Sequence, residues 1–287
     1  MKKLVSALAV VALLFTACGN SQQEGAATET KNEQAAQGEQ NNTDKKDGSK
    51  VVIGVSPAPH AAIAEFVKGK LAEEGIELEI KEFDDYVQPN ISLDEGELDL
   101  NFFQHKPYLD EFNQTRGTKI VSLGGVHLEP MGIYSKNYKS LDEVKDGDKV
   151  VIPNDATNGA RALVLLEGQG LIKLKEGVGI NATEEDIAEN PKNLEFTAVE
   201  AASIPRVYDD AAIAVINSNY AIEAGLSPKD DTLAIESTQD NPYANIIAVK
   251  EGEENNETYK KVYEAFTSKE TKDFIESTYK GEIVPVQ

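Results

Sequence analysis

The segment VVIGVSPAPHAAIAEFVKGKLAEEGIELEI, residues 51–80, contains a complete strand–helix–strand unit. Residues 51–55 form a short continuous apolar run, as expected for a buried parallel strand, and a Ser-Pro pair ends it. Apolar side chains then recur at helical spacing until Gly75, which is a typical helix stop. Residues 76–80 alternate between apolar and charged side chains, which predicts a second strand. The unit therefore predicts an α/β fold.

Strands and helices continue to alternate along the rest of the chain, without an internal repeat. Two α/β halves with a late return of the chain are the simplest organisation. We expect one lobe from residues 51–130 plus 240–287 and the other from residues 131–239. Further strands are predicted near 98–102, 119–123, 149–153, 194–199, 211–216 and 244–249, and helices over 107–117, 159–167 and 257–279.

Ligands of such folds bind at the carboxyl ends of strands, in the crevice between lobes. The side chains at those positions are aromatic and amide-rich, with one arginine. An arginine fork holds carboxylates, amides supply both donors and acceptors, and rings favour a thioether by ~0.3–1.5 kcal/mol. The set suits a small zwitterion with an apolar tail. These candidates are Tyr86, Phe103, Tyr108, Asn158, Arg161, Asn217 and Asn245.

Purely structural roles are open for several of these residues. His105 could bridge backbone groups where a helix starts, and Arg161 could be a solvated or salt-bridged side chain on a helix face. Phe102 and Phe103 are adjacent, so in an extended strand they point to opposite sides. At least one of the two phenylalanines should therefore belong to the core.

The N-terminus reads as a signal peptide over residues 1–17. Its apolar run, residues 4–15, is shorter than the roughly 20 residues that cross a bilayer. Thr16-Ala17-Cys18 resembles the lipobox of bacterial lipoproteins, and Cys18 is the only cysteine, so it has no disulfide partner. We expect Cys18 to be diacylated, because stable anchoring takes two lipid signals. The alternative is an ordinary secretory signal with a chance cysteine.

Residues 18–50 are predicted to form a disordered tether, since alanine is the only apolar side chain between residues 19 and 50. The body that follows has no Trp, no further Cys and no apolar run of membrane length. The formal charge of −22 falls to −24 once Lys2 and Lys3 leave with the signal peptide. Such acidity argues against nucleic acid, and against anionic lipid as a docking surface.

Three longer stretches resemble the NlpA/MetQ family, the methionine-binding lipoproteins of ABC importers. They are DYVQPN at 85–90, NFFQHKPYLD at 101–110 and PNDATNGAR at 153–161. The resemblance extends through essentially the whole body. It implies a two-lobe fold like that of type II periplasmic binding proteins, with the ligand cleft between the lobes.

The resemblance also implies a function and assigns residues to it. The chain would capture methionine and deliver it to a permease driven by a cytoplasmic ATPase, as a monomer anchored on the extracytoplasmic face of a membrane. We expect the outer surface of a single-membrane bacterium, and neither catalysis nor a cofactor. Glu129 is a candidate acceptor for the ligand ammonium. Tyr86, Phe103, His105 and Tyr108 would line the pocket, and Asn158, Arg161, Asn217 and Asn245 would hold the head group.

Several alternatives remain open from the sequence. The ligand could be D-methionine, a Gly-Met dipeptide or methionine sulfoxide, or the protein could be a surface adhesin. A metal ion is a further option, although His60, His105 and His127 are widely spaced and form no local two-ligand motif. The G-x-G-x-x-A match at 177–182 follows no buried strand, so we interpret it as a loop and not as a dinucleotide site.

Overall fold

Two mixed β-sheets organise residues 49–286, the part of the chain that the computed structural model describes. The strands are β1 (Ser49–Val55), β2 (Ile76–Glu82), β3 (Leu100–His105), β4 (Ile120–Leu128), β5 (Gly132–Tyr134), β6 (Lys149–Pro153), β7 (Lys173–Leu174), β8 (Ile187–Glu189), β9 (Glu195–Val199), β10 (Ile213–Ile216), β11 (Thr232–Ile235), β12 (Ala244–Lys250) and β13 (Val284–Pro285). The helices are α1 (Ala62–Glu73), α2 (Gln88–Glu95), α3 (Lys106–Arg116), α4 (Ala156–Gly168), α5 (Ile204–Val207), α6 (Ser218–Glu223), α7 (Glu257–Phe266) and α8 (Lys269–Tyr279).

The first sheet has the strand order β13-β4-β12-β3-β1-β2. Its strand β1 pairs in parallel with β2 and β3, whereas β12 pairs antiparallel with both β3 and β4. The second sheet has the order β11-β5-β10-β6-β9, with a parallel centre and antiparallel pairing at the β5 side. The chain passes to the second sheet after β4 and returns before β12, as a two-lobe α/β fold requires.

The first strand–helix–strand unit confirms the sequence prediction. Strands β1 and β2 run parallel, with Val51 opposite Leu78 and Ile53 opposite Ile80. Helix α1 buries its apolar face against the first sheet, and Gly75 follows it at φ 80°, a conformation that glycine adopts without strain. Each fully buried aliphatic side chain there contributes roughly 1.5–3 kcal/mol.

The adjacent phenylalanines of β3 point to opposite sides, as predicted. Phe102 lies in the core between the first sheet and helices α1 and α7, where its ring packs against Phe266. Phe103 lies on the other face, beside Tyr108 and Phe112 of α3. One face of β3 therefore packs in the core of the lobe, and the other packs against α3.

Some boundaries differ from the sequence predictions. Strand β1 begins at Ser49, inside the segment predicted as tether, and β4 continues to Leu128 instead of ending near residue 123. Gly124 and Gly125 interrupt the apolar alternation of β4, and its pairing with β12 is irregular there. Helix α4 begins at Ala156 and not at Gly159. Elements without a predicted counterpart are α2, β5, β7, β8, α5, α6, β11 and β13.

The predicted signal peptide, lipidated Cys18 and tether as far as residue 48 lie outside the described residues. Between residues 49 and 286, no helix is both long enough and apolar enough to cross a membrane.

Candidate functional site

A cavity lies where elements of the two sheets meet. The cavity has an aromatic end and a polar end that contains one arginine and one carboxylate. Its lining residues are Tyr86, Phe103, Gln104, His105, Tyr108, Glu129, Asn158, Arg161, Asn217, Ser218, Asn219 and Asn245.

All eight ligand-binding candidates predicted from the sequence line this one cavity. They come from the loop before α2, from β3, from the start of α3, from α4, from the start of α6 and from β12. That these residues contact a ligand stays a prediction. Glu129, the candidate for an ammonium, also lines the cavity, together with Gln104, Ser218 and Asn219, which the sequence analysis did not single out.

Three rings form the aromatic end. The ring of Tyr86 lies 6.0 Å from that of Phe103 and 5.8 Å from that of Tyr108, measured between centroids. The hydroxyl of Tyr108 donates to the backbone oxygen of Tyr86 over 3.0 Å, which fixes the Tyr108 ring. The arrangement leaves an apolar slot whose walls are ring faces and edges.

His105 caps a helix, which is the structural role that the sequence left open, and it also lines the cavity. Its Nδ1 accepts a hydrogen bond from the backbone N–H of Tyr108 over 3.2 Å and so caps α3. Because Nδ1 is an acceptor, the ring proton is on Nε2, which lies 3.2 Å from Oδ1 of Asn158. Burial lowers the pKa of His105 to about 3, so the ring is neutral at physiological pH.

A chain of hydrogen bonds anchored at Asp155 orients two cavity amides. Asp155 caps α4 by accepting from the backbone N–H of Asn158, and it also accepts from Nδ2 of Asn158 over 3.0 Å. A carboxylate only accepts, so Oδ1 of Asn158 must face Asn217, whose Nδ2 donates to it over 2.8 Å. Oδ1 of Asn217 is then left buried without a donor among the described residues.

Arg161 is buried and salt-bridged. Its Nε and Nη2 contact the carboxylate of Glu236, with 2.6 Å between Nη2 and Oε2, and Nη2 also donates to the backbone oxygen of Glu129 over 2.7 Å. The guanidinium carbon lies 4.3 Å from the ring centroid of Tyr243. One edge of the predicted carboxylate fork is therefore occupied by the protein, which leaves Nη1 for an occupant of the cavity.

The helix that carries Arg161 starts earlier than the predicted span of 159–167. Since α4 begins at Ala156, Arg161 lies in the second helical turn and not in the first. The N-cap residue Asp155 puts a carboxylate at the N-terminus of this helix, where it accepts from the backbone N–H of Asn158.

Glu129 belongs to a buried cluster with two histidines. Its Oε1 lies 2.6 Å from Nε2 of His127 and 3.1 Å from Nε2 of His60. Burial raises the pKa of Glu129, and the nearby His60 and the Arg161 guanidinium oppose this effect. Sequence spacing alone missed the cluster. The i, i+2 pair His127-x-Glu129 at the end of β4 was the available signal, because it puts two side chains on one side of a strand.

Two further amides at the polar end have defined orientations. Oδ1 of Asn245 lies 3.0 Å from Nε2 of His60, and Oδ1 of Asn219 accepts from the hydroxyl of Tyr86 over 2.5 Å. Nδ2 of Asn219 is buried and has no acceptor within residues 49–286. The polar end thus offers N–H donors from Arg161 and amides, and oxygen acceptors from Glu129 and Asn217. Such a set can hold a carboxylate and an ammonium side by side.

Comparison with known proteins gives a consistent result. Residues 51–287 match the NlpA lipoprotein family. The D-methionine-binding lipoprotein MetQ of Salmonella typhimurium is 45% identical over 242 residues, which are 83% of this chain and 89% of that protein.

Solved structures also resemble the chain. A nutrient-binding protein of Burkholderia cenocepacia, solved bound to methionine, has a TM-score of 0.80 and 45% identity, covering 83% of this chain and all of that one. A periplasmic substrate-binding protein of an ABC transporter from Coxiella burnetii has a TM-score of 0.79 and 40% identity, covering 82% of this chain and all of that one.

Proposed function

The chain belongs to the NlpA lipoprotein family, and from this membership we propose that it captures methionine outside the cytoplasm and delivers it to an ABC importer. One observation carries the proposal: a single cavity combines an aromatic slot with paired donors and acceptors for a zwitterion. The relatives named for methionine binding support the same ligand. The proposed role is binding and release, without a bond-making step.

The cavity suggests an orientation for methionine. The carboxylate would accept from Nη1 of Arg161 and Nδ2 of Asn245, and the ammonium would donate to Oε2 of Glu129 and Oδ1 of Asn217. The thioether would lie in the slot of Tyr86, Phe103 and Tyr108, since sulfur at ring edges gains ~0.3–1.5 kcal/mol per contact. His105 and Asn158 would support the head group through the hydrogen bond between them.

Capture requires that the cavity open and close. We place the lobes at residues 51–130 plus 240–287 and at residues 131–239, with the two chain crossovers between the sheets as hinges. Closure would remove water from the polar end and present both lobes together to a membrane permease, which a cytoplasmic ATPase drives. The receptor would act as a monomer.

The proposed location follows from family membership and from the N-terminal sequence. Acylated Cys18 would anchor the chain in a bilayer on its extracytoplasmic face, with the acidic body in solution. The strongly negative charge favours the outer surface of a single-membrane bacterium as the working site.

A thermal-unfolding panel tests the ligand. Circular dichroism would follow unfolding of the chain with L-methionine, D-methionine, methionine sulfoxide, Gly-Met, leucine and Zn²⁺. A ligand at 1,000 times its Kd adds roughly 4 kcal/mol to stability, so methionine should raise the Tm clearly and leucine should not. A shift with Zn²⁺ or Gly-Met, without one for methionine, would overturn the proposal.

A further inference from the structure

Two histidines that do not line the cavity lie directly behind its polar end. His60 and His127 are both fully buried, with 0% of their surface exposed. Their ring centroids are 5.1 Å apart, and both Nε2 atoms point at the same oxygen, Oε1 of Glu129. Two histidine donors on Oε1 leave Oε2 to accept from other groups, and the backbone N–H of Asn219 is one further donor to this carboxylate.

The proton on His127 can be assigned from its neighbours. Nε2 of His127 has the Glu129 oxygen at 2.6 Å, whereas Nδ1 has no hydrogen-bond partner among the described residues. A neutral imidazole carries one N–H, and a buried N–H without an acceptor is costly. The proton therefore belongs on Nε2, and His127 donates to Glu129.

His60 connects Glu129 to a second cavity residue. Its Nε2 lies 3.1 Å from Oε1 of Glu129 and 3.0 Å from Oδ1 of Asn245. Because the Glu129 carboxylate can only accept, Nε2 of His60 carries the proton, and the Asn245 atom beside it must also be an acceptor. Oδ1 of Asn245 therefore faces the histidine, and Nδ2 faces away from it. Asn245 also pairs with His127 across the two strands β12 and β4, so backbone register holds the group together.

The surroundings keep both histidines rigid and neutral. The ring of Phe102 packs edge-on against both, with centroid distances of 4.7 Å to His60 and 5.2 Å to His127. Burial lowers the pKa of His60 to about 4 and that of His127 to about 3. They act as fixed N–H donors to a carboxylate, and such hydrogen bonds are stronger than those between neutral groups.

We infer that His60 and His127 are positioning residues for ligand recognition: they hold Oε1 of Glu129 so that Oε2 meets the ligand ammonium, and His60 turns the Asn245 amide N–H toward the carboxylate. This inference rests on the proposed function. Under this inference, His60 and His127 help the protein to select ligands with a free, charged α-amino group, although neither histidine touches the ligand.

The same three residues have the composition of a metal site, but their spacing favours hydrogen bonding. Ligands of a tetrahedral zinc ion, at bonds of about 2.0–2.1 Å, lie roughly 3.3 Å apart. The 2.6 Å between His127 Nε2 and Glu129 Oε1 is much shorter than that separation and fits a short hydrogen bond from an N–H to a carboxylate.

A double-mutant cycle on methionine affinity tests the inference. Calorimetry on the full chain in detergent would compare wild type, His127→Leu, Glu129→Gln and the double variant. We expect His127→Leu to weaken methionine binding about 10-fold to 100-fold, since it removes one hydrogen bond to a charged group. The double variant should bind as Glu129→Gln does, within about 2-fold, because the histidine acts only through the carboxylate.

Two further variants separate positioning from packing. His127→Gln keeps a side-chain N–H and should recover part of the lost affinity. Phe266→Leu alters the same core, since Phe266 contacts Phe102 but lies outside the histidine cluster. When it is combined with Glu129→Gln, the fold-losses of methionine affinity from the two substitutions should multiply. If the His127→Leu and Glu129→Gln effects multiply as well, His127 does not act through Glu129 and the inference is wrong. If wild type itself fails to bind methionine, the proposed function falls first, and this inference with it.

Discussion

Asn217 illustrates how neighbours decide which atom a cavity residue presents. Its Nδ2 is committed to Asn158, whose own orientation is set by the Asp155 carboxylate, so only Oδ1 is left for an occupant. Asn219 has the opposite polarity, because Tyr86 takes its oxygen and leaves Nδ2. An acceptor and a donor of this kind are what an ammonium and a carboxylate need.

The three buried histidines predict how stability depends on pH. Burial lowers the pKa of His60 to about 4 and those of His105 and His127 to about 3, against 6.5 in the unfolded chain. Below pH 6.5 the unfolded state therefore binds more protons, so stability is lost as pH falls toward 4, by up to about 1.4 kcal/mol per pH unit for each histidine. Glu129 and Asp155, whose pKa values are raised by burial, oppose this loss at the acid end.

Urea denaturation of the ligand-free chain between pH 7.5 and 5 would measure this dependence. Replacing one histidine, as in His105→Gln, should reduce the slope by up to about 1.4 kcal/mol per pH unit at the acid end of this range, whatever its effect on stability at pH 7.5. The same slope in wild type and variant would mean that His105 is protonated in the folded state.

At the scale of single elements, the start of α4 couples helix stability to the cavity. Asp155→Ala removes the cap and should lower the free energy of unfolding by about 1 kcal/mol. It also frees the Asn158 amide to rotate, so we expect a loss of methionine affinity of about 10-fold, measured by calorimetry.

Ser268→Ala is the matched control for this prediction. Ser268 caps α8 by accepting from the backbone N–H of Thr271, on an element that contributes no residue to the cavity. It should cost a similar amount of stability and leave affinity unchanged. If both variants lost the same amount of methionine affinity, the effect of Asp155→Ala would come from general destabilisation and not from the cavity.

The sequence predicted the elements with strong periodicity and missed those held by tertiary contacts. Residues 51–80 and the helix from Pro107 to Gly117 are locally consistent, and both confirm the prediction. Strand β5 has three residues and helix α6 six, too few for a period to show, and both depend on neighbouring strands or on the cavity wall.

The candidate site could be predicted as a set of residues but not as a network. The eight predicted side chains do meet in one cavity, since they lie at or near strand ends in an α/β fold. Which groups hydrogen-bond to each other depends on distances in the folded chain, and the spacing of residues along the sequence does not give these distances. Glu236 is 75 positions from Arg161 and still occupies one edge of its guanidinium, and His60 reaches Asn245 across 185 positions.

At the scale of the whole molecule, Arg161 ties together both segments that carry the chain between the sheets. It donates to the backbone oxygen of Glu129 where the chain leaves the first sheet, and to Glu236 just after β11, where the chain starts its return. Its guanidinium also lies over Tyr243, immediately before β12. A single side chain therefore holds the two crossovers in a fixed relation while it lines the cavity.

This double role predicts that Arg161→Ala affects folding as well as ligand binding. The substitution leaves the Glu236 carboxylate, which is only 15% exposed, without its charged partner. Breaking such a buried pair costs about 3 kcal/mol of folding stability. Adding Glu236→Gln removes the stranded charge, so the double variant should regain part of the stability in urea denaturation. It should not regain methionine affinity, because Nη1 is still missing. Undiminished stability of Arg161→Ala would show that the crossovers are held by other contacts and that Arg161 serves the ligand alone.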